Sequence, residues 1–159
     1  AILDGTNLIY IDECISSKQM IRFYHHLGHV FTPHTNASGK VFLSQFSKAE
    51  LADYCKHHKF EPVTPKTIAS SAELAKDLAL TLKRGYALND EENIPGTRCF
   101  AVPIYNDKGH IVASVSVSGT LFQIPLEQIP SMVCVVNSIL DEFYREYSPL
   151  LILNNIFDM

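Results

Sequence analysis

Three things are missing from this 159-residue sequence, and each absence narrows what it can be. No apolar stretch approaches the ~18 residues of a membrane-spanning helix, and no basic segment followed by an apolar one opens the chain as a secretory signal would. No Cys-x-x-Cys pair occurs. Cys14, Cys55, Cys99 and Cys134 stand far apart, which argues against a zinc ribbon and a dense disulfide framework and favours a reducing, cytoplasmic setting. Nor is there a run of Lys or Arg: 13 basic residues against 17 acidic ones leave a formal charge of −4, so the chain alone has no footing on a phosphate backbone.

What is present is a globular mixture, 47% hydrophobic and 19% charged, of a length that suits one domain of the usual ~100 to 150 residues. The chain opens at Ala1 and enters a strand-like pattern almost at once, so a further domain upstream is expected. Residues 8–15 and 20–24 are β-branched and aromatic runs around Ser16-Ser17-Lys18, which predicts two strands and a turn. After Pro33-His34-Thr35-Asn36 the apolar spacing becomes helical at Val41, Phe42 and Phe46, with Asn36 or Ser38 as the cap. Ser47-x-x-Glu50 and Ser70-x-x-Glu73 both fit the capping box that starts a helix. The second of these helices repeats Leu74, Leu78 and Leu82, carries Lys83 and Arg84 in its last turn and meets Gly85 as its stop.

Residues 99–105, a turn at Asn106-Asp107-Lys108-Gly109, and the alternation of Ile111, Ala113, Val115 and Val117 with Val112, Ser114, Ser116 and Ser118 predict a β-hairpin. Pro130 opens a closing helix with an apolar stripe of Met132, Val136, Ile139, Leu140, Phe143 and Tyr147. Strands joined by hairpins and segregated from helices favour an antiparallel α+β domain.

If the turn pairs Tyr105 with His110, Cys99 lies opposite Ser116 and Thr97 opposite Ser118, and Ala101 and Ser114 share their face. That face is either a shallow cup lined by hydroxyls and a thiol, suited to a small polar ligand, or the solvent side of a hairpin. The loop Thr35-Asn36-Ala37-Ser38-Gly39 leads into a helix whose free N–H groups suit an anion, with Ala37 and Gly39 allowing close approach; a plain capped helix is the alternative. Asn89-Asp90-Glu91-Glu92-Asn93 reads as a solvated acidic loop. His25, His26, His29, His34, His57 and His58 lack metal-ligand spacing, and Cys99 lacks a recognisable His partner, so neither a metal nor catalysis is expected.

Taken together and in order, His34-Thr35-Asn36-Ala37-Ser38-Gly39-Lys40, Lys83-Arg84-Gly85-Tyr86-Ala87-Leu88-Asn89-Asp90-Glu91-Glu92, Gly96-Thr97-Arg98-Cys99 and Val115-Ser116-Val117-Ser118-Gly119 resemble the effector-binding domain of IclR-type transcriptional regulators. The resemblance implies a GAF-like fold, a curved antiparallel sheet flanked by helices, following an N-terminal winged helix-turn-helix that binds DNA as a dimer. It implies a site for a small carboxylate such as a 2-oxo, hydroxy or sugar acid. Ala37 and Ser38 would serve as backbone donors, Asn89 and Thr97 as polar walls, Cys99 as a thiol contact, and Ser116 and Ser118 as hydroxyl donors. It further implies self-association into dimers or tetramers, no cofactor and no enzymatic activity. Asn89 stands where family members often carry Asp, Thr97 replaces a frequently apolar residue and Ser38 a smaller one, so a more polar and slightly narrower cup is expected. A module that only oligomerises is the alternative.

Overall fold

The computed structural model describes residues 1–15 and 27–147. The predicted strand at 20–24, His25, His26 and the apolar tail at 149–159 lie outside the described residues.

Among the described residues, two three-stranded antiparallel sheets form the frame. The first orders β1 (Ile2–Asp4), β2 (Asn7–Ile9) and β3 (Val30–Phe31); the second orders β4 (Ala87–Asp90), β5 (Thr97–Tyr105) and β6 (Ile111–Thr120). The backbones of Ala1 and Ser114 exchange hydrogen bonds of 2.8 and 2.9 Å, which ties the start of β1 to β6. The predicted strand at 8–15 is shorter than expected: regular pairing stops at Ile9, and residues 10–15 continue without a ladder of their own.

Period-two alternation gives the second sheet two unlike faces. Phe100 and Val102 project to one side and pack under Ile129, Val133 and Leu140 of α4 (Ile129–Tyr147). The side chains of Ala87 and Ala101 project to the other, where α1 (Ala37–Leu43) lays Ala37 and Val41 against them. Only small residues admit a helix backbone this close, so all seven residues of α1 are buried. Beyond it, Leu43 joins Tyr54 of α2 (Lys48–His57) and Leu74 and Leu78 of α3 (Ser71–Arg84) in a further apolar cluster.

The caps form as the sequence indicates, with one difference. Ser47 and Glu50 make the reciprocal pair at α2. At α3 the Ser70 hydroxyl accepts the Glu73 N–H, but the Glu73 carboxylate reaches one residue further back, to the N–H of Ala69. Gly85 ends α3 at φ 78°, a left-handed conformation in which glycine carries no Cβ penalty.

Two apolar stripes are rotated from the expected ones. On α3 the buried line is Leu74, Leu78 and Thr81, while Leu82 is exposed; a strict four-residue repeat drifts off the face of a helix with 3.6 residues per turn. On α4 the line runs through Ile129, Val133 and Leu140, with Met132, Val136 and Tyr144 half-buried beside it, leaving Ile139 outside. Pro130 sits in the first turn, one residue after the start.

The acidic stretch is not a solvated loop. Asp90 lies on β4 and meets Arg98 Nε at 2.6 Å, Glu91 meets Lys66 at 2.6 Å, and Glu92 is buried against Lys40. Thr64 and Thr67 donate their hydroxyls to the Glu91 and Glu92 carbonyls. The cause is Lys40, which α1 carries wholly into the interior, where an unpaired ammonium is not tolerated.

Candidate functional site

The hairpin register differs from the predicted one by two residues. Cys99 lies opposite Ser118 and Ala101 opposite Ser116, while Thr97 faces Thr120: the turn pairs Tyr105 with Ile111 in place of His110, which accounts for one residue, and an irregularity at Ile104/Tyr105 absorbs the other. A shift of two leaves every side chain on its face. Cys99, Ser114, Ser116 and Ser118 therefore still share one surface, and β4 adds Asn89 opposite Cys99 and Ala87 opposite Ala101.

α1 starts over this surface. Asn36 occupies its N-cap position with extended backbone, but its side-chain amide turns back to donate to the Thr32 carbonyl at 3.0 Å and supplies no cap bond. The first-turn N–H groups thus lack the side-chain acceptor that Ser47 and Ser70 provide for α2 and α3. Gly39, expected to admit a ligand, does something else: a Cβ there would overlap the backbone of Pro33, so its bare Cα admits the protein's own chain.

Ser38 is fully buried, and its Oγ has no partner in hydrogen-bond geometry; the buried Ser114 Oγ is in the same condition. The Cys99 thiol lies against the Ser118 hydroxyl, and burial pushes its pKa up, which holds it as a protonated thiol instead of a nucleophilic thiolate. The His34 imidazole is bound to the Tyr54 hydroxyl at 2.8 Å, and those of His57 and His58 sit 2.9 Å from the Asp53 and Tyr54 carbonyls. Among the described residues no group of three or more His, Cys, Asp or Glu is placed to hold a metal ion.

Two of the expected site residues have their side chains committed elsewhere. The Asn89 amide donates to the Thr35 carbonyl at 2.8 Å and accepts the Glu92 N–H at 3.1 Å, so it holds the segment that opens α1. The Thr97 hydroxyl donates to the Ile94 carbonyl at 2.7 Å, at the start of β5. Ala37, Ser38, Cys99, Ser116 and Ser118 lie together.

Alongside β6 runs a cavity of about 450 Å3, bounded on one side by residues 114–118 and on the other by residues 10–15. The Ser114 N–H and C=O point away from β5 to bond Ala1, so those of Ser116 and Ser118, two and four residues on, also point outward along the cavity. Asp12 and Glu13 border it, and its Tyr10 wall reaches the hydroxyls of Ser38 and Ser116. Sequence reasoning missed both Tyr10 and Lys40. Tyr10 gave no signal beyond lying in an apolar run; Lys40 had one in the small-residue segment around it, where a buried cation needs a buried acid.

Three comparisons with known proteins agree. Residues 1–140 match the family model described as bacterial transcriptional regulator IclR C-terminal. The chain is 38% identical over 117 residues to the HTH-type transcriptional regulator XynR of Escherichia coli K12, covering 74% of this chain and 46% of that protein. It is 32% identical over 138 residues to the acetate operon repressor of Salmonella typhimurium, covering 86% and 50%. It thus spans about half the length of these relatives. Among solved structures, the IclR of Thermotoga maritima superposes with a TM-score of 0.80 at 34% identity, over 91% of this chain and 58% of that one. The inducer-binding domain of a double mutant of PobR from Acinetobacter, solved with 3-hydroxybenzoic acid, superposes with a TM-score of 0.78 at 22% identity over 89% of this chain and 83% of that one.

Proposed function

The chain belongs to the IclR family of bacterial transcriptional regulators, whose C-terminal domain it carries in an α+β, GAF-like fold, and from that premise we propose that it senses a small carboxylate metabolite, a 2-oxo, hydroxy or sugar acid, and relays its presence to DNA. One observation carries this reading. The buried Ser114 hydroxyl, without a partner in good hydrogen-bond geometry, lies on the face that holds Cys99, Ser116 and Ser118, the buried Ser38 of α1 lies over that face, and residues 114–118 border a cavity of metabolite size.

The acid would be held without a dedicated cation, because the buried Lys40 is already neutralised by Glu92 and Asp77. Its oxygens would take charge-assisted hydrogen bonds from the N–H groups of Ala37 and Ser38 and from the hydroxyls of Ser38, Ser116 and Ser118, with the Cys99 thiol beneath. Asn89 acts at one remove, by fixing the segment that begins α1, and Thr97 closes the rim. The solved complex of a PobR double mutant with an aromatic acid supports a carboxylate ligand for this fold.

In this reading DNA contact falls to a helix-turn-helix domain in the half of the relatives' length that this chain does not span, which suits its acidic charge and a cytoplasmic setting. Ligand binding favours one arrangement of a dimer or tetramer and shifts operator affinity by a coupling of about 1–3 kcal/mol. A thermal-shift screen of 2-oxo, hydroxy and sugar acids tests the reading, since a ligand at about 100 times its Kd stabilises by about 2.7 kcal/mol. Tyr10 lines the same cavity; a screen without a hit selects the second reading, a module that only oligomerises.

A further inference from the structure

Two pairings meet at the edge of β6. Ala1 and Ser114 exchange backbone hydrogen bonds in both directions, at 2.8 and 2.9 Å, as a hydrogen-bonded pair of an antiparallel ladder does. On its other side β1 pairs with β2, Ile2 opposite Ile9. β1 is therefore the strand between β6 and β2, and it fills only one end of the space between them. Beyond Ala1 that space is the cavity of about 450 Å3, with residues 114–118 along one wall and residues 10–15 along the other. At the Ala1 end it is one strand wide.

Both walls offer backbone groups to this slot. Ser114 turns its N–H and C=O toward Ala1, and the pleat turns those of Ser116 and Ser118 the same way; among the described residues no backbone hydrogen bond reaches them. On the opposite wall Tyr10 sends its carbonyl away, to the Gly28 N–H at 3.0 Å, so the groups of Ile11 face inward. The strand pattern over residues 8–15 outruns its ladder, which stops at Ile9, level with Ile2. An open edge is a template for a further strand, and here the template is two-sided.

Resting on the reading that a DNA-binding domain precedes this chain, we infer that the slot takes the stretch joining that domain to Ala1: it enters as a strand in line with β1, pairs with β6 at Ser116 and Ser118 and with the opposite wall at Ile11, and joins the two sheets into one. A second copy of the chain is a poorer occupant, since one strand's width leaves no room for a folded edge. Directly opposed residues of an antiparallel ladder put their side chains on the same face. The residues two and four places ahead of Ala1 thus stand beside Ser116 and Ser118 on the hydroxyl face. The strand lies at the level of the sheet and the effector above it, beneath the first turn of α1, so the ligand touches the very stretch that leads to DNA.

The test is amide hydrogen exchange, followed by NMR, in this chain, in the chain extended ahead of Ala1 by Thr-Val-Thr-Val or by Pro-Gly-Pro-Gly, and in the intact regulator. The Thr-Val extension and the intact regulator should slow exchange at the Ser116 and Ser118 N–H about tenfold or more relative to the chain alone. The other extension puts proline, which cannot donate to a ladder, at both positions that pair with β6, and should leave the two amides at the rate of the chain alone. The Val117 N–H, which points to β5, should be slow throughout and reports an intact hairpin. Fast exchange at Ser116 and Ser118 in the intact regulator overturns the inference; if that protein still binds its operator, the DNA reading stands. Slow exchange there without operator binding keeps the strand and removes the DNA reading. Protection that appears in the chain alone as its concentration rises seats a second copy in the slot and overturns the inference.

Discussion

Nζ of Lys40, a side chain with no exposed surface, lies 2.8 and 2.9 Å from the two carboxylate oxygens of Glu92, fifty-two residues further along the chain, and 3.0 Å from Asp77. This cluster fastens α1, whose first turn opens the candidate site, to the end of β4 and to α3. Lys40→Met would leave the buried Glu92 without its cation beside Asp77, whose remaining partner is Arg84 at 3.7 Å, and breaking a buried pair on one side costs about 3–5 kcal/mol. Urea unfolding should show a loss in that range, with the double variant Lys40→Met/Glu92→Leu regaining much of it. A single-variant loss below about 1 kcal/mol would mean that the cluster is not what fastens α1.

His34 sets a pH dependence of stability. It is 1% exposed, bonded to Tyr54, and its pKa is lowered from 6.5 to about 4, first by burial and then by the neighbouring His58 and Lys40. The unfolded chain takes up a proton near pH 6.5 and the folded one resists until about pH 4, so stability is full above 6.5 and falls as the pH drops between those values. Melting temperature followed from pH 7.5 down to 4 should decline over that window. His34→Asn, which keeps a polar partner for Tyr54 but does not titrate, should flatten the decline; an equal slope in the variant assigns it to other groups.

Gly39→Ala is expected to destabilise although alanine is the better helix former. The added Cβ would meet the Pro33 backbone, which cannot rotate away as a side chain can. Overpacking of this kind costs about 1–3 kcal/mol, more than the roughly 1 kcal/mol that helix propensity returns. A variant that unfolds at the same or a higher denaturant midpoint would show that the 33–36 segment gives way.

Ser116→Val should separate folding from sensing. Valine suits a strand position, so the unliganded melting temperature should hold within a few degrees. The ligand-induced rise, about 5–10 °C for an effector at 100 times its Kd, should vanish. An intact rise would remove Ser116 from the site.

Much of the frame was readable from local chemistry. Ser47 and Ser70 began helices and Gly85 ended one because capping is settled by neighbours in the chain. The resemblance carried by the segments around Lys40, Glu92, Cys99 and Ser116 named the family that the comparisons show. The partners of charged groups were not readable. Glu92 looked solvated because nothing in residues 89–93 indicates that Lys40 arrives from α1, and the stripe on α4 was misjudged because apolar residues occupy more than one side of that helix.

The alternation along β5 and β6 by itself determined that Cys99, Ser114, Ser116 and Ser118 share a face, since side chains in a strand repeat every second residue and a register shift of two preserves the set. Which hydroxyl faces the thiol was decided by the turn pairing of Tyr105 with Ile111 together with the irregularity at Ile104/Tyr105, and what covers the face was decided by packing that brings α1 and Tyr10 together from distant parts of the chain. Periodicity is a property of the backbone and can be read locally; enclosure depends on burial, which is known only once every element has found its neighbours.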